Sequence, residues 1–320
     1  MPGTDRYADG IQPVSSARPR VGISLLVSGL SRLYGDDLAG VVELARTAED
    51  AGFDQLALPD HLAMGPRTDR YPYGRWPLPE DEPWLEPLTT LAAMAAVTSR
   101  VRLATGVLVA PLRPALLLAK TVATLDVLSR GRLDLGVGTG WQREEFAAAS
   151  VPFRGRAARM DDALRACRVL WRDAPASFAS PSVGFEAIRC LPRPVQPGGP
   201  PLWIGGVLSE ANLARLVEYG AGWMPLGLSD EALGEGIGRA RDAFAAAGRD
   251  PAGLGVRAPL APRRASDGRV DLDASLAELP RLRALGATLV SIPLAAFVRS
   301  ASEAPAFLER VVERRARAER

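Results

Sequence analysis

Histidine, cysteine and lysine, the residue types that bind metals, form disulfides or act as amine nucleophiles, are scarce in this chain. Its 320 residues include one histidine, His61, two cysteines, Cys167 and Cys190, and a single lysine, Lys120. Two cysteines without further histidines cannot hold a zinc ion, and we expect both to be reduced structural thiols. Lys120 lies in the middle of a predicted helix, which argues against a Schiff-base mechanism. The scarcity therefore argues against metal clusters, disulfide scaffolds and amine catalysis.

An excess of charge and long apolar runs are also missing. The formal net charge is +2 and 24% of the residues are charged, so no strong field draws the protein to nucleic acid or to a membrane. No apolar run approaches the ~20 residues of a membrane-spanning helix, and the first 20 residues lack the apolar core of a secretion signal. We expect a cytoplasmic protein that recognises a small-molecule substrate, with residues 1–20 as a flexible N-terminal extension.

From residue 21 onward, a short apolar strand pattern is followed by a longer helical pattern eight times. In the first unit, VGISLLV at 21–27 precedes DLAGVVELARTAEDAG, whose apolar residues recur at helical spacing and which ends at Gly52. Eight βα units closed on themselves predict an α/β fold, the (β/α)8 TIM barrel, as a single domain over residues 21–320. Two long segments break the rhythm, at 63–86 and 174–200, and predict insertions after strands 2 and 4.

The unusual residues fall at the ends of predicted strands. Asp60 and His61 end strand 2, residues 105–107 end strand 3, residues 138–140 follow strand 4, and residues 205–206 follow strand 5. In a parallel barrel the carboxyl ends of the strands share one face, where active sites are built. We therefore expect these motifs to line a single mouth.

The stretch LDLGVGTGWQREEF at 133–146 carries three glycines spaced by two. A dinucleotide-binding turn needs its third glycine where Trp141 stands and lies in the first βα unit, so the Rossmann interpretation fails. Two interpretations stay open. The glycines serve a tight turn and close helix packing, or they bring backbone N–H groups to an anion, with the Thr139 hydroxyl as a further donor. Gly205 and Gly206, just before a predicted helix, repeat the second pattern.

His61 is the candidate for acid–base chemistry. An unperturbed imidazole has a pKa of about 6.5 and can take or give a proton at working pH. Asp60 is the neighbouring candidate, either to set the His61 tautomer or to act as an acid or base itself. No metal site is predicted, and without a G-x-S-x-G elbow serine hydrolysis is not expected either. Trp141 either lines the pocket or packs between helices.

Four longer stretches resemble one family. They are GFDQLALPDHL (52–62), LATGVLVAPLRPALLLAKTVATLDVLSRGRLDLGVGTGWQREEF (103–146), VPFRGRAARMDDALRACRVLW (151–171) and PPLWIGGVLSEANLARLVEYGAGWMP (200–225). In this order they resemble the luciferase-like monooxygenases and the related flavin and deazaflavin oxidoreductases. The resemblance covers nearly the whole chain from residue 21. The second and fourth stretches are similar to actinobacterial members expected to use the deazaflavin coenzyme F420.

The resemblance implies positions for a cofactor. Its ring is expected on a bulge after strand 3, formed by Thr105, Gly106 and Val107, with a cis peptide bond between the last two. Its phosphate end is expected near Gly138, Thr139 and Gly140 on one side and near Gly205 and Gly206 on the other. Asp60 and His61 match the acid–histidine pair that the family places beside the reactive ring.

Departures from the family pattern bear on the substrate and the cofactor. Trp141 stands where sugar-phosphate dehydrogenases of the family carry an acidic residue, so that substrate class is not expected. Gly138 and Thr139 stand where luciferase has Cys-Arg, whose arginine meets the flavin phosphate. That difference weakens the interpretation as an FMN enzyme.

The resemblance and the residues together predict an F420-dependent oxidoreductase. It would transfer hydride between C5 of the deazaflavin and a small organic substrate, with His61 handling the proton and Asp60 orienting His61. Two alternatives stay open: a two-component monooxygenase that uses reduced FMN and O2, and a non-redox barrel that binds phosphate ligands. A flavin or F420 reductase is the implied functional partner, and a homodimer is the assembly common in the family.

Overall fold

The apolar strand patterns of the sequence form one closed sheet in the computed structural model, which describes residues 21–318. The extension expected at residues 1–20 lies outside the described residues. Strands alternate with helices along the chain, and short pieces of strand decorate the loops. The strands are β1 (Gly22–Leu26), β2 (Gln55–Leu58), β3 (Arg102–Thr105), β4 (Leu108–Val109), β5 (Leu133–Gly138), β6 (Ala176–Ala179), β7 (Gly184–Ile188), β8 (Leu202–Gly205), β9 (Gly220–Met224), β10 (Gly255–Pro259), β11 (Arg263–Arg264), β12 (Val270–Asp271) and β13 (Leu289–Pro293).

The order of the strands closes the barrel. Around the sheet the order is β3, β2, β1, β13, β10, β9, β8 and β5, and a further pairing of β3 with β5 completes the circle. The pairs are parallel, with Ser24 opposite Gln55 and Leu135 opposite Leu202. The predicted (β/α)8 TIM barrel is confirmed. Because all eight strands run the same way, their carboxyl ends form one rim.

Helices connect the strands on the outside of the sheet. The helix predicted after strand 1 begins at Gly40 and ends against Gly52, whose φ of 100° is left-handed, a conformation that glycine adopts without strain. The helices are α1 (Leu30–Tyr34), α2 (Gly40–Ala51), α3 (Pro87–Val97), α4 (Ala115–Leu128), α5 (Arg143–Ala148), α6 (Arg156–Arg172), α7 (Glu210–Tyr219), α8 (Asp230–Ala246), α9 (Leu272–Leu276), α10 (Leu279–Leu285), α11 (Leu294–Phe297) and α12 (Ala304–Ala318).

The two insertions are present and differ in character. The chain between β2 and α3, residues 59–86, contains only one short 3-10 turn, Thr68–Arg70, and crosses the rim of the barrel. After β5 the chain forms α5, α6 and an antiparallel hairpin of β6 and β7. The sequence predicts an irregular excursion at 174–200, whereas the hairpin packs apolar side chains, including Phe178 and Phe185, against Ala163 and Ala166 of α6.

The outer face of the sheet is apolar and faces the helices. Ile23, Leu56, Val137 and Val290 are each fully buried there. These positions alternate with residues whose side chains point into the barrel, as the two-residue period of a strand requires. The main hydrophobic core therefore lies between the sheet and the helices.

The interior of the barrel is polar. Gln55 on β2 hydrogen-bonds both Asp134 on β5 and Arg257 on β10, although these strands are not neighbours in the sheet. Side chains from separated strands can meet only inside a closed barrel. Trp203 shares this interior, where Cβ atoms on Gly222 and Gly255 would collide with its indole ring.

The two cysteines are not joined in a disulfide bond. Cys167 and Cys190 are both buried and free, and burial raises the pKa of the Cys167 thiol. Over the range 21–318, no helix combines the length and the apolar character needed to cross a membrane. Within the same range, no group of three or more His, Cys, Asp or Glu side chains is placed to hold a metal ion.

Glu49 carries a prediction about stability. Its buried carboxylate accepts backbone N–H bonds from Ser99, Arg100 and Val101, the turn that leads into β3. Burial alone would raise the pKa of Glu49, but these hydrogen bonds outweigh it and lower the pKa below its ordinary 4.5. We expect Glu49→Gln to cost about 1–3 kcal/mol of unfolding free energy at pH 7, since a charged acceptor is lost.

The dependence on pH distinguishes this carboxylate from a neutral acceptor. A carboxyl group whose pKa is lower in the folded state than in the unfolded state stabilises the fold. This stabilisation is complete above the pKa of the unfolded state, and it is lost as the pH falls through the pKa of the folded state. The difference in unfolding free energy between wild type and Glu49→Gln should thus be constant above about pH 5 and shrink below it. Urea unfolding followed by circular dichroism at several pH values measures this difference, and a difference that grows in acid would contradict the assignment.

Candidate active site

The predicted site residues lie at the carboxyl ends of barrel strands. Asp60 and His61 follow β2, the bulge at residues 105–107 begins with the last residue of β3, and residues 138–140 and 205–206 begin with the last residues of β5 and β8. The closed parallel topology places all of these ends on the same rim. Gly106, Val107, Thr139, Gly140 and Gly205 are each partly exposed there. The rim therefore offers accessible backbone from three strands.

His61 pairs with a carboxylate that the sequence did not reveal. Its Nδ1 lies 3.1 Å from Oε2 of Glu145, and Oε1 of the same carboxylate accepts the Leu62 backbone N–H at 2.6 Å. His61 is 8% exposed and Glu145 1% exposed. Glu145 lies in the first turn of α5, so this helix carries the carboxylate to the imidazole. The pair of glutamates in QREEF was the available signal, but nothing in the sequence selects Glu145 over Glu144.

Asp60 lies at the end of β2 as predicted, but its partners differ from the prediction. Its Oδ2 accepts the Val109 backbone N–H at 2.8 Å and one Arg113 nitrogen at 2.6 Å, and its Oδ1 accepts the other Arg113 nitrogen at 3.1 Å. Arg113 also bonds Glu86, the N-cap of α3. Both oxygens of Asp60 are thus used to hold the chain that follows the bulge. The prediction that Asp60 orients His61 is corrected, because Glu145 bonds the imidazole and both Asp60 oxygens bond Val109 and Arg113.

Aromatic side chains enclose the imidazole. The ring centroids of Trp84, Trp76 and Trp141 lie 4.8, 5.7 and 5.9 Å from that of His61, all edge to face. Tyr71 contacts both Trp76 and Trp141. The indole nitrogens of Trp76 and Trp84 are buried and have no hydrogen-bond partner among the described residues. Trp141 therefore lines the site, and the long segment 59–86 supplies the other two indoles.

The bulge after β3 explains two of the glycines. The Gly106–Val107 peptide bond is cis, as the resemblance predicted. A Cβ on Gly138 or on Gly205 would lie within 3 Å of a Val107 methyl group, so the Val107 side chain fills the space that these glycines leave. Thr105 is fully buried, and its hydroxyl donates to the Gly136 carbonyl at 2.6 Å. Thr105 thus holds the sheet together and does not face the mouth.

The glycines expected at the phosphate end differ in their surroundings. Gly206 donates its N–H to the Met224 carbonyl at 2.9 Å, and a Cβ there would lie 2.8 Å from the Tyr73 hydroxyl. Its backbone is therefore not a free anion donor. Gly140 has a left-handed φ of 74° and packs against Val109 and Phe146, which satisfies the turn-and-packing interpretation of this glycine.

Two arginines that the sequence analysis did not select lie beside Gly140. Arg156 donates from Nε to the Gly140 carbonyl at 3.0 Å, and both Arg156 and Arg143 stack on the Phe153 ring, at 3.9 and 4.5 Å from its centroid. Among the described residues neither guanidinium forms an ion pair. Burial and the neighbouring Arg143 lower the pKa of Arg156. The rim therefore has an unneutralised cationic corner next to Thr139 and Gly140.

Comparison with known proteins decides the family. A profile of the luciferase-like monooxygenases matches residues 19–318. The chain belongs to this family. The resemblance predicted from the four sequence stretches is thereby confirmed.

Relatives within the luciferase-like family use different cofactors. An uncharacterized protein of Mycobacterium tuberculosis H37Rv is 35% identical over 271 residues, 83% of this chain and 90% of the relative. The F420-dependent hydroxymycolic acid dehydrogenase of the same organism is 33% identical over 237 residues, 69% of this chain and 58% of that protein. The FMNH2-dependent dimethylsulfone monooxygenase of Pseudomonas putida is 28% identical over 200 residues, 61% of this chain and 51% of that protein.

Solved structures show the same fold. The monooxygenase RslO1 from Streptomyces bottropensis superposes with a TM-score of 0.75 at 24% identity, over 92% of this chain and 98% of its own. The F420-dependent tetrahydromethanopterin reductase from Methanopyrus kandleri superposes with a TM-score of 0.72 at 15% identity, over 94% of this chain and 100% of its own. At these identities the likeness concerns the barrel alone.

The residues of this luciferase-like barrel fit a flavin or deazaflavin with one correction. Partly exposed backbone at Gly106 and Val107 offers a bed for a flat ring, and the buried, unpartnered indole nitrogens stand beside His61. The cationic corner at Arg156 suits a phosphate. Gly206 does not suit a phosphate, because its N–H is used within the sheet. The Thr139 side of the rim therefore suits the anionic end of a cofactor better than the Gly206 side does.

Proposed function

We propose that the protein is an F420-dependent oxidoreductase that transfers hydride between C5 of the deazaflavin and a small organic substrate. The observation that carries the proposal is the buried His61–Glu145 pair, which stands at the same rim as the partly exposed Gly106–Val107 bulge. Support comes from membership of the luciferase-like family and from the F420-dependent relative that is 33% identical.

Each part of the rim has a role in this proposal. Gly106 and Val107 carry the ring, while Thr139, Gly140 and Arg156 hold the anionic end through hydrogen bonds and charge. When bound, the cofactor supplies the hydride chemistry, and the protein supplies position and electrostatics. Trp141 and the two other indoles form the wall of the substrate pocket. Such a wall excludes water and favours a substrate with an apolar or aromatic body.

His61 handles the proton that accompanies hydride transfer. Its Nδ1 is held by Glu145, so Nε2 is the ring nitrogen that remains for the substrate. A carboxylate at one nitrogen fixes the orientation of the imidazole. Glu145 is therefore a positioning residue, and His61 is the group that exchanges a proton with the substrate oxygen or nitrogen.

The role of Glu145 gives a kinetic prediction. We expect Glu145→Gln to lower kcat by about 10- to 100-fold through misplacement of the imidazole, with KM and cofactor affinity nearly unchanged. The double variant Glu145→Gln with His61→Ala should be no slower than His61→Ala alone, because both substitutions remove the same function, proton transfer by His61. Steady-state kinetics of the three variants form the test. Losses that multiply would show that Glu145 acts independently of His61.

A second candidate is the FMN-dependent monooxygenase, because the relative from Pseudomonas putida uses FMNH2. This enzyme would take reduced FMN from a separate flavin reductase, whereas the F420 enzyme would depend on a reductase that recycles F420. The barrel, the bulge and the His61–Glu145 pair serve both chemistries. The cofactor affinity and the consumption of O2 distinguish them.

The deciding experiment titrates the purified protein with F420 and follows the cofactor fluorescence, with FMN in a parallel titration. We expect saturable binding of F420, weaker binding of FMN, and no O2 uptake when reduced F420 is mixed with the protein. Tight binding of reduced FMN, with a reaction with O2 that the protein alters from the autoxidation of the free flavin, would favour the monooxygenase. Binding of sugar phosphates and of neither flavin would favour a non-redox barrel. Sedimentation analysis in the same buffer tests the proposed homodimer.

A further inference from the structure

Arg257 is a buried cation that has fewer hydrogen-bond acceptors among the described residues than it has N–H donors. It lies in the middle of β10 with its side chain inside the barrel, and it is 5% exposed. Among the described residues its only hydrogen bond joins Nη1 to Oε1 of Gln55 at 3.3 Å, and it forms no ion pair. An arginine carries five N–H donors. Most of the donors of this guanidinium therefore lack a protein acceptor.

The carboxylate that acts on Arg257 is shared with another arginine. Asp134 is the carboxylate that acts on Arg257, but Arg102 holds it with two hydrogen bonds of 2.6 and 2.8 Å, and Gln55 adds a third. The strands on either side of β10 are β9, GAGWM, and β13, LVSIP, and neither has a charged residue. Asp134 is shared with Arg102, on which the buried Asp126 also acts, so among the described residues no hydrogen-bonded carboxylate balances the positive charge of Arg257.

The charge of Arg257 lies directly under the bulge. A Cβ on Gly106 would collide with the Arg257 guanidinium, so the glycine is needed for the arginine to approach. Burial lowers the pKa of Arg257 to about 10, and the group is still protonated at neutral pH. A buried charge without a partner is strongly unfavourable. An unpaired buried cation of this kind is expected where an anionic ligand binds beside it and balances its charge.

We propose that Arg257 is the counter-charge for the ring of the bound cofactor and stabilises the ring in its reduced, anionic form. This inference rests on the proposed function, which places the ring on Gly106 and Val107. Arg257 acts from the inner side of the bulge, whereas His61 acts from the side of the aromatic wall. The two residues thus serve the cofactor and the substrate separately.

The balance of charge in the reaction explains the need for a cation. A hydride carries two electrons and one proton, so its transfer from the substrate to the oxidised ring adds one negative charge to that ring. The substrate loses its second proton to His61. A fixed guanidinium favours the more negative product over the reactant, and it does so without rearranging at the moment of transfer. The reverse reaction uses the same interaction.

The test compares the affinities of the oxidised and the reduced cofactor. Anaerobic titrations with oxidised and reduced F420, and with FMN in parallel, give the ratio of the two dissociation constants. In Arg257→Met we expect the ratio of reduced to oxidised Kd to rise about 10- to 100-fold, since a charge-assisted hydrogen bond is lost. Each tenfold change corresponds to about 30 mV in the two-electron potential of the bound cofactor. Arg257→Lys, which keeps the charge, should restore most of the wild-type ratio.

Arg156→Met is the matched control. It removes a cation at the anionic end of the cofactor, which does not change on reduction, so it should weaken both forms equally and leave the ratio unchanged. If Arg257→Met also leaves the ratio unchanged while its circular dichroism is native, the inference is wrong. If wild type binds neither cofactor, the proposed function itself fails.

A measurement on the wild-type protein covers the case in which Arg257→Met does not fold. The absorbance of the bound reduced ring is followed as the pH is changed. The charged groups around the ring are Arg257, Arg102 and Asp134 below it and the His61–Glu145 and Asp60–Arg113 pairs at the rim. We expect the pKa of the reduced ring to fall by at least about one unit on binding. An unchanged or raised pKa would overturn the inference.

Discussion

Replacing His61 by alanine is expected to lower kcat by about 10²- to 10⁴-fold, the contribution usual for a general acid or base. The variant should bind the cofactor with an affinity within a few-fold of wild type, because the ring and its anionic end rest on other residues. Stopped-flow measurement of cofactor reduction or oxidation under saturating substrate gives the rate of the chemical step directly. Equilibrium titration of the same variant gives the affinity.

The His61 result needs a control for folding, because the substitution leaves the buried Glu145 carboxylate with the Leu62 N–H as its one partner in the described part of the chain. The double variant His61→Ala with Glu145→Gln removes that unpaired charge. If both variants lose the same factor in kcat while their melting temperatures match wild type, the loss belongs to the proton step. A His61→Ala enzyme with full activity would remove His61 from the mechanism.

Trp223→Ala should produce the largest loss of stability, about 3–5 kcal/mol of unfolding free energy. The Trp223 side chain is fully buried, and its ring packs so closely on α8 that a Cβ on Gly236 would lie 2.6 Å from it. Its Nε1 donates to the Gly206 carbonyl at 2.8 Å. The substitution therefore leaves both a cavity and an unsatisfied carbonyl at the end of β8. Urea unfolding followed by circular dichroism measures the loss.

Trp223→Phe separates the two contributions. It keeps most of the packing and removes only the hydrogen bond to Gly206, so we expect a cost of about 1–3 kcal/mol. A cost below about 1 kcal/mol for Trp223→Ala would mean that β9 and α8 repack freely, contrary to the close contact seen here.

The sequence predicted the barrel because the relevant signals are local. The alternation of strand and helix patterns, the glycine after α2 and the lengths of the insertions are all properties of short segments. The position of the motifs at strand ends followed from the same alternation, since a parallel barrel has a single carboxyl rim. The cis bond at Gly106 followed from the family resemblance and is present in the structure.

The glycines show where sequence reasoning was incomplete. One interpretation of the sequence was that the glycines leave backbone N–H groups open to an anion. That interpretation considered each strand end separately. In the structure the Val107 side chain occupies the space beside Gly138 and Gly205, and the Tyr73 hydroxyl lies against Gly206. Those contacts join residues 31 to 133 positions apart in the chain. A glycine in a sequence shows that space is needed, but the neighbour that takes the space comes from another strand.

What the sequence by itself determined is the barrel, the rim and the sole imidazole, because periodicity and composition follow directly from the order of residues. What only the tertiary structure decided is the pairing of charged groups at that rim. Glu145 rather than Asp60 holds His61, and within residues 21–318 no carboxylate hydrogen-bonds Arg257. Such pairings depend on side-chain directions across strands and helices far apart in the chain, where a difference of one residue reverses the direction of a strand side chain.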